Sequence, residues 1–285
     1  MKPTTTPPCR LEVLLARRAP VGVIFRRGPS RWVQVIRWDT RDDTFEFGHW
    51  FHGHIYVGRS DLSPDGTFLI YFANKFNRKT VSDKEYTYAW TAISKPPLLT
   101  AVALWPKGNC WHGGGLFSGA RDVFLNHRPN VAVAHPKHGP RGFRVTSNPQ
   151  ACGEDDPVLV PRMTRDGWKF TQGLEYDYKA RRAVRPAVME KTSKKGGMTL
   201  RVEHFPDGGT EEPSVFSVVG KDGSETPVGI GTWADFDQQG RLVLASEGKL
   251  FAGTWANGKV ALAALADFNG SRPNPQRVPS PVRQS

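Results

Sequence analysis

The chain reads as an all-β protein, a β-propeller of five blades, each a four-stranded antiparallel sheet, with six blades as the second choice. Three observations carry that reading. The first is Asp61-Leu62-Ser63-Pro64-Asp65-Gly66 running straight into the apolar segment 67–73. Ser-Pro-Asp-Gly is turn chemistry: Pro fixes φ at a corner, Asp bonds nearby backbone, and Gly accepts a positive φ. The aromatic and β-branched run behind it suits a strand. The second is an echo, Asp235-Phe236-Asp237-Gln238-Gln239-Gly240 before 241–245, with the leading Asp and the Gly at the same spacing. The third is punctuation. With 29 Gly and 23 Pro in 285 residues, and no long apolar stripe at helical spacing, the chain favours many short strands.

Strands are expected in order at 11–16, 21–25 and 32–38. In the last, Trp32, Gln34, Ile36 and Trp38 share one face and Val33, Val35 and Arg37 the other. Asp39–Asp43 forms a hairpin connection and 44–47 returns. After the Ser-Pro-Asp-Gly unit, strands follow at 86–92, 100–105, 116–117, 123–125 and 131–134. Segment 139–157, rich in Gly, Pro, Ser and Asn, reads as an exposed loop, and Met163–Trp168 as a further turn. Segment 174–185 suits either a strand pair or a short basic helix. Strands at 199–205, 215–219, 228–230, 250–255 and 260–265 complete about twenty, roughly four per blade. Residues 1–10 form a loose lead-in, 11–270 the domain, and 271–285 a disordered Pro/Arg-rich tail.

The formal charge of +12 is unevenly placed. Residues 1–31 hold seven Lys or Arg against Glu12, 178–201 hold eight against Glu190, and 270–285 add three unopposed, so the remainder is slightly acidic. That excludes a uniformly basic nucleic-acid surface. Cys9, Cys110 and Cys152 are too scattered for a disulfide framework or a metal motif, which indicates a reducing, cytoplasmic compartment. No apolar run reaches the ~20 residues that span a bilayer, and no signal-like segment opens the chain.

Ser63-Pro64-Asp65-Gly66 with Phe68-Leu69-Ile70-Tyr71 resembles the WD40-like repeat of TolB-type bacterial β-propellers, with a weaker echo over 234–245. The resemblance implies a propeller used mainly for protein–protein contact. It brings no catalytic set with it, because fold does not fix function.

Four groups of residues have chemical potential. His49, His52 and His54 are the densest set of imidazoles, but no nearby acid or thiol completes a metal site, and a Gly-punctuated aromatic loop is expected there. Cys110 and His112 share a strand face but have no orienting third group. The glycines at 113–115 mark a close backbone approach rather than a phosphate loop. Asp61, Asp122 and Asp235 could gather at a propeller axis as glycosidase carboxylates do; turn bonding for Asp61 and Asp235, and an ion pair with Arg121 for Asp122, are the simpler readings. The nine Trp residues are expected in the core and between blades.

The binding surface is assigned to Lys179, Arg181, Arg182, Arg185, Lys194 and Lys195, with Tyr176 and Tyr178 beside it. The function expected is a non-enzymatic, monomeric interaction platform that docks an acidic protein surface. The alternatives are a hydrolase working on the propeller axis and nucleic-acid binding through 178–201. No catalytic residue, metal or cofactor is assigned, and no membrane partner is expected.

Overall fold

The computed structural model describes residues 6–28, 30–153, 156–177, 179, 182–194, 197–204, 213–256 and 259–273, with backbone only at 182 and 256. The first sheet comprises β1 (Arg10–Leu15), β2 (Val21–Arg27), β3 (Trp32–Asp39) and β4 (Thr44–His52), antiparallel and in chain order. The second repeats that plan with β5 (His54–Leu62), β6 (Leu69–Asn74), β7 (Ala89–Ser94) and β8 (Ala101–Pro106). A single-turn helix α1 (Arg78–Ser82) lies between β6 and β7. The third sheet has only β9 (Gly115–Phe117), β10 (Asp122–Leu125) and β11 (Arg144–Ser147), and β11 pairs parallel to β10. After helix α2 (Leu159–Arg165), β12 (Lys169–Gln172) begins the fourth sheet. The separate hairpin β13 (Glu175–Asp177) and β14 (Arg182–Arg185) interrupts it. Strands β15 (Ala187–Thr192), β16 (Thr199–His204), β17 (Ser214–Val219) and β18 (Glu225–Gly231) then complete five strands. The fifth sheet is β19 (Trp233–Phe236), β20 (Leu242–Ser246), β21 (Lys249–Ala256) and β22 (Lys259–Asp267).

The protein is therefore all-β, with three four-stranded antiparallel sheets among its five larger ones. Uniform four-stranded sheets do not hold, because the third is short and mixed and the fourth has an extra strand. The strand expected at 131–134 is replaced by a 3-10 turn over Pro129–Val131, where Pro presets the helical φ. The loop expected at 139–157 contains β11. The His49–His54 loop is instead the end of β4, a turn at Gly53 and the start of β5. A side chain at Gly53 would strike Asn74 O at 2.4 Å, so the turn needs glycine there.

The interior strands of the first, second and fifth sheets are buried on both faces because each of these sheets packs against two others. In β2 and β3, Val23, Phe25, Val33 and Val35 pack with Ile55, Leu69 and Tyr71 of the second sheet. The opposite face, with Ile24, Ile36 and Trp38, packs with Val243, Ala245 and Leu250 of the fifth. The alternation expected in β3 is realised on both sides. Further apolar seams join the second sheet to the third through Ile70, Trp105, Phe117 and Leu125, and the fourth to the fifth through Leu200, Val218 and Leu242. Cys9 is buried, and its N–H donates to Asn269 Oδ1 (2.9 Å), tying the start of the first sheet to the end of the fifth. Among the described residues, no helix is long and apolar enough to cross a membrane.

The two aligned turns share more than spelling. Gly66 N–H donates to Ser63 O and Gly240 N–H to Asp237 O, both at 2.9 Å, and both glycines have positive φ. Both turns lock onto the β1–β2 loop of the first sheet. Arg18 N–H donates to Pro64 O (2.8 Å), and Gln238 Nε2 donates to Ala16 O (2.8 Å). Arg241 adds a bidentate pair to Asp43 on the β3–β4 turn (2.7 and 2.8 Å).

Candidate functional site

The equivalence extends to Asp61 and Asp235, which precede those glycines by five residues and are both buried. Asp61, at the end of β5, accepts Phe117 N–H (2.8 Å) and a bidentate pair from Arg165 (2.7 and 3.0 Å). Arg165 also reaches Asp166 (2.8 and 3.0 Å). Burial alone would lower the Arg165 pKa, but the hydrogen bonds to Asp61 and Asp166 outweigh it and hold it above its ordinary value. One turn earlier on α2, Arg162 donates to the carbonyls of Val57 (2.8 Å) and Ser60. Arg17 donates to Phe117 O (2.8 Å). Helix α2 thus closes over the end of β5 with two arginines, placed on one face by their i, i+3 spacing.

Asp235 takes a different cation. Lys191 Nζ lies 2.6 Å from its Oδ1, and the same ammonium sits 5.7 Å from the Trp168 ring centroid. Burial pushes the Asp235 carboxyl above the usual carboxylate range, opposed by Lys191. Both carboxylates are therefore committed to ion pairs supplied by the 159–191 segment. Asp122, the third candidate, pairs with Arg144 rather than Arg121. Arg121 stacks over Phe68 at 4.3 Å instead.

The imidazole cluster does not converge. His49 Nδ1 accepts Leu99 N–H (3.1 Å), His52 leans on Trp32 at 4.8 Å between ring centroids, and His54 Nδ1 is paired with Arg27. No group of three metal-ligating side chains occurs among the described residues. Cys110 and His112 also turn to different neighbours. Asn74 Nδ2 donates to Cys110 Sγ (3.3 Å), while the buried His112 ring faces His127 at 5.7 Å. Burial holds the pKa of His112 down to about 4 and that of His127 to about 3. The glycines behind them do mark close approach, since a Cβ at Gly114 would lie 1.9 Å from Arg59 O.

The basic stretch is spread over two places. Lys179 lies in the β13–β14 turn, exposed, with its N–H on Asp177 (2.8 Å). On β14, the Arg182 backbone lies opposite Asp177 in the hairpin register, and the Arg185 side chain is 3.4 Å from Glu175 with both groups well exposed. Lys194 is exposed in the β15–β16 turn, about 20 Å along β15 from the hairpin at ~3.3 Å per residue. Arg181, Lys195 and Tyr178 lie outside the described residues, and Tyr176 is half-buried. Lys191 and Arg201 are committed inward, Lys191 to Asp235 and Arg201 to Glu190 and Glu203.

Sequence reasoning missed the arginines of α2. The usable signal was Arg162-Met163-Thr164-Arg165-Asp166, two cations one helical turn apart ahead of an acid. Comparison with known proteins finds no matching family model and no matching curated sequence.

Proposed function

We propose that the chain is a β-propeller scaffold without an enzymatic site, acting in the cytoplasm as a docking platform for a partner protein with an acidic surface. The observation that carries the reading is the closure of Asp61 and Asp235. A glycosidase-like site needs one carboxyl to titrate and another to stay accessible, whereas here Arg165 and Lys191 hold both in buried ion pairs. What faces solvent, among the described cations of the β13–β14 hairpin, is Lys179 and Arg185. Radial packing is supported by apolar seams between the first and second, second and third, and fourth and fifth sheets, and by the seam between the first and the fifth. The described cysteines are all free, which suits a reducing compartment.

The test is affinity purification from the native host, followed by reconstitution with the purified partner. Replacing Arg181, Arg182 and Arg185 together by Ala should reduce retention at least tenfold, and raising salt should weaken the native complex. Undiminished retention by the triple variant would move the docking surface elsewhere. Turnover of a defined substrate by pure protein, abolished by one substitution, would end the scaffold reading.

A further inference from the structure

The end of the first two sheets opposite the aligned turns carries a cleft of about 350 Å³. Three backbone segments build it. The end of β2 and the loop after it supply Arg27 and Arg31, the strand ends on either side of the β4–β5 turn supply His52 and His54, and the loop after β6 supplies Lys75 and Phe76. The segments are mutually fixed: Gly53 N–H donates to Arg31 O (2.9 Å), and Lys75 N–H donates to Tyr88 O (2.8 Å). The floor is Tyr56, whose oxygen accepts from Asn74 Nδ2 (2.9 Å).

No carboxylate lines the cleft, so three cations and two imidazoles share one concave surface. Arg31 and Lys75 have no ion-pair partner among the described residues. Such an arrangement costs electrostatic energy unless an anion occupies it. Arg27 is pre-oriented by its hydrogen bond to His54 Nδ1. A guanidinium only donates, so Nδ1 is the acceptor and the neutral His54 ring carries its proton on Nε2. Phe76, 64% exposed at the lip, meets Tyr88 edge to face at 4.7 Å, leaving a ring surface for stacking. The Tyr56 ring is already covered by His54 (4.1 Å) and by the Arg59 guanidinium (5.3 Å) and is not available for that role.

We propose that this cleft binds a mononucleotide, its phosphates held by Arg27, Arg31 and Lys75 and its base stacked on Phe76. Arginine and lysine are the side chains suited to phosphate oxygens, by planar fork and point charge respectively. The volume lies at the small-ligand end of the range for pockets, which fits one nucleotide and not a length of strand. The proposal goes beyond the scaffold reading and does not depend on it.

Isothermal titration of the full chain with ATP, tripolyphosphate and an oligothymidylate at low and moderate salt tests it. ATP should bind, Arg31→Ala and Lys75→Ala should each weaken it about tenfold, and the double variant should abolish it. Phe76→Ala should weaken ATP several-fold while leaving tripolyphosphate unchanged. All three positions are on surface loops, and unchanged thermal melts would establish that the variants fold. The Arg181/Arg182/Arg185 triple variant should bind ATP normally, which separates this site from the docking hairpin. Absence of ATP binding at millimolar concentration, or equal binding by the double variant, overturns the proposal. Oligothymidylate binding tighter than ATP and lost in the same variants also overturns it, in favour of nucleic acid.

Discussion

The two ends of the sheets are built on opposite principles. At one end the connections are short and interlocked: the Ser63 and Asp237 turns grip the β1–β2 loop, and Arg241 clamps Asp43. At the other, Arg31 and Lys75 border a cleft that no carboxylate lines. The first end spends its polar groups on one another, and the second leaves these two cations for something else. The contrast teaches that recurring turn residues in this chain mark where it is held together, and that the less regular loops mark where it can bind.

The largest effect that would break this contrast is at Asp61. Removing one partner of a buried ion pair costs about 3–5 kcal/mol, because the other charge is left stranded. Asp61→Asn should therefore lower the urea midpoint more than any other single change described. Asp235→Asn should cost less, on the order of 2 kcal/mol, because Lys191 is a flexible point charge that also sits beside Trp168. Equal losses for the two variants would show that the aligned positions are energetically alike.

Acid should act on the two ends at different pH. His112 and His127 lie at the open end, and an unfolded histidine takes its proton near pH 6.5, whereas these wait until about 4 and about 3. The unfolded chain thus binds more protons throughout that window. Stability present above pH 6.5 should fall, by up to about 2 kcal/mol per histidine, on going to pH 5. His127→Gln should flatten that slope in pH-dependent thermal melts. The interlocked end should hold to lower pH, since the side-chain hydrogen bond from Arg241 keeps the Asp43 carboxyl below the usual carboxylate range. Its contribution is lost only as pH falls below about 4.

Within the turns, Asp237→Ala should cost about 2 kcal/mol, because Asp237 accepts two backbone N–H groups and Arg241. Asp65→Ala should cost about 1 kcal/mol, as it bonds Thr67 N–H and Ser63 within its own turn and no cation. Arg31→Ala and Lys75→Ala should change unfolding free energy by no more than about 0.5 kcal/mol. A large loss at either would show that the open end is structural after all.

What was legible in the sequence follows from range. The Trp32–Asp39 alternation and the two aligned turns are local patterns, and both faces and both turns formed as read. Strand β5 was missed because its second half, Arg59-Ser60-Asp61, is polar; its burial is explained only by arginines about a hundred residues later. Strand β11 is four residues long and finds β10 in parallel across an irregular connection, too short for periodicity to register. Helix α2 was hidden by Pro161 within its first turn, where proline is tolerated. The spelling Asp267-Phe268-Asn269-Gly270 repeats 235–237 in words only. It ends an outer strand and secures Cys9.

That bond between Cys9 and Asn269 also sets a timetable for biosynthesis. Leu11, Ile24, Ile36 and Trp38 acquire their cover only when residues 243–252 emerge. At typical elongation rates of ~5–20 residues per second, a newborn first sheet waits on the order of 10–40 s with one greasy side uncovered. Ribosome pausing late in the message should then lengthen the interval in which chaperones are needed most.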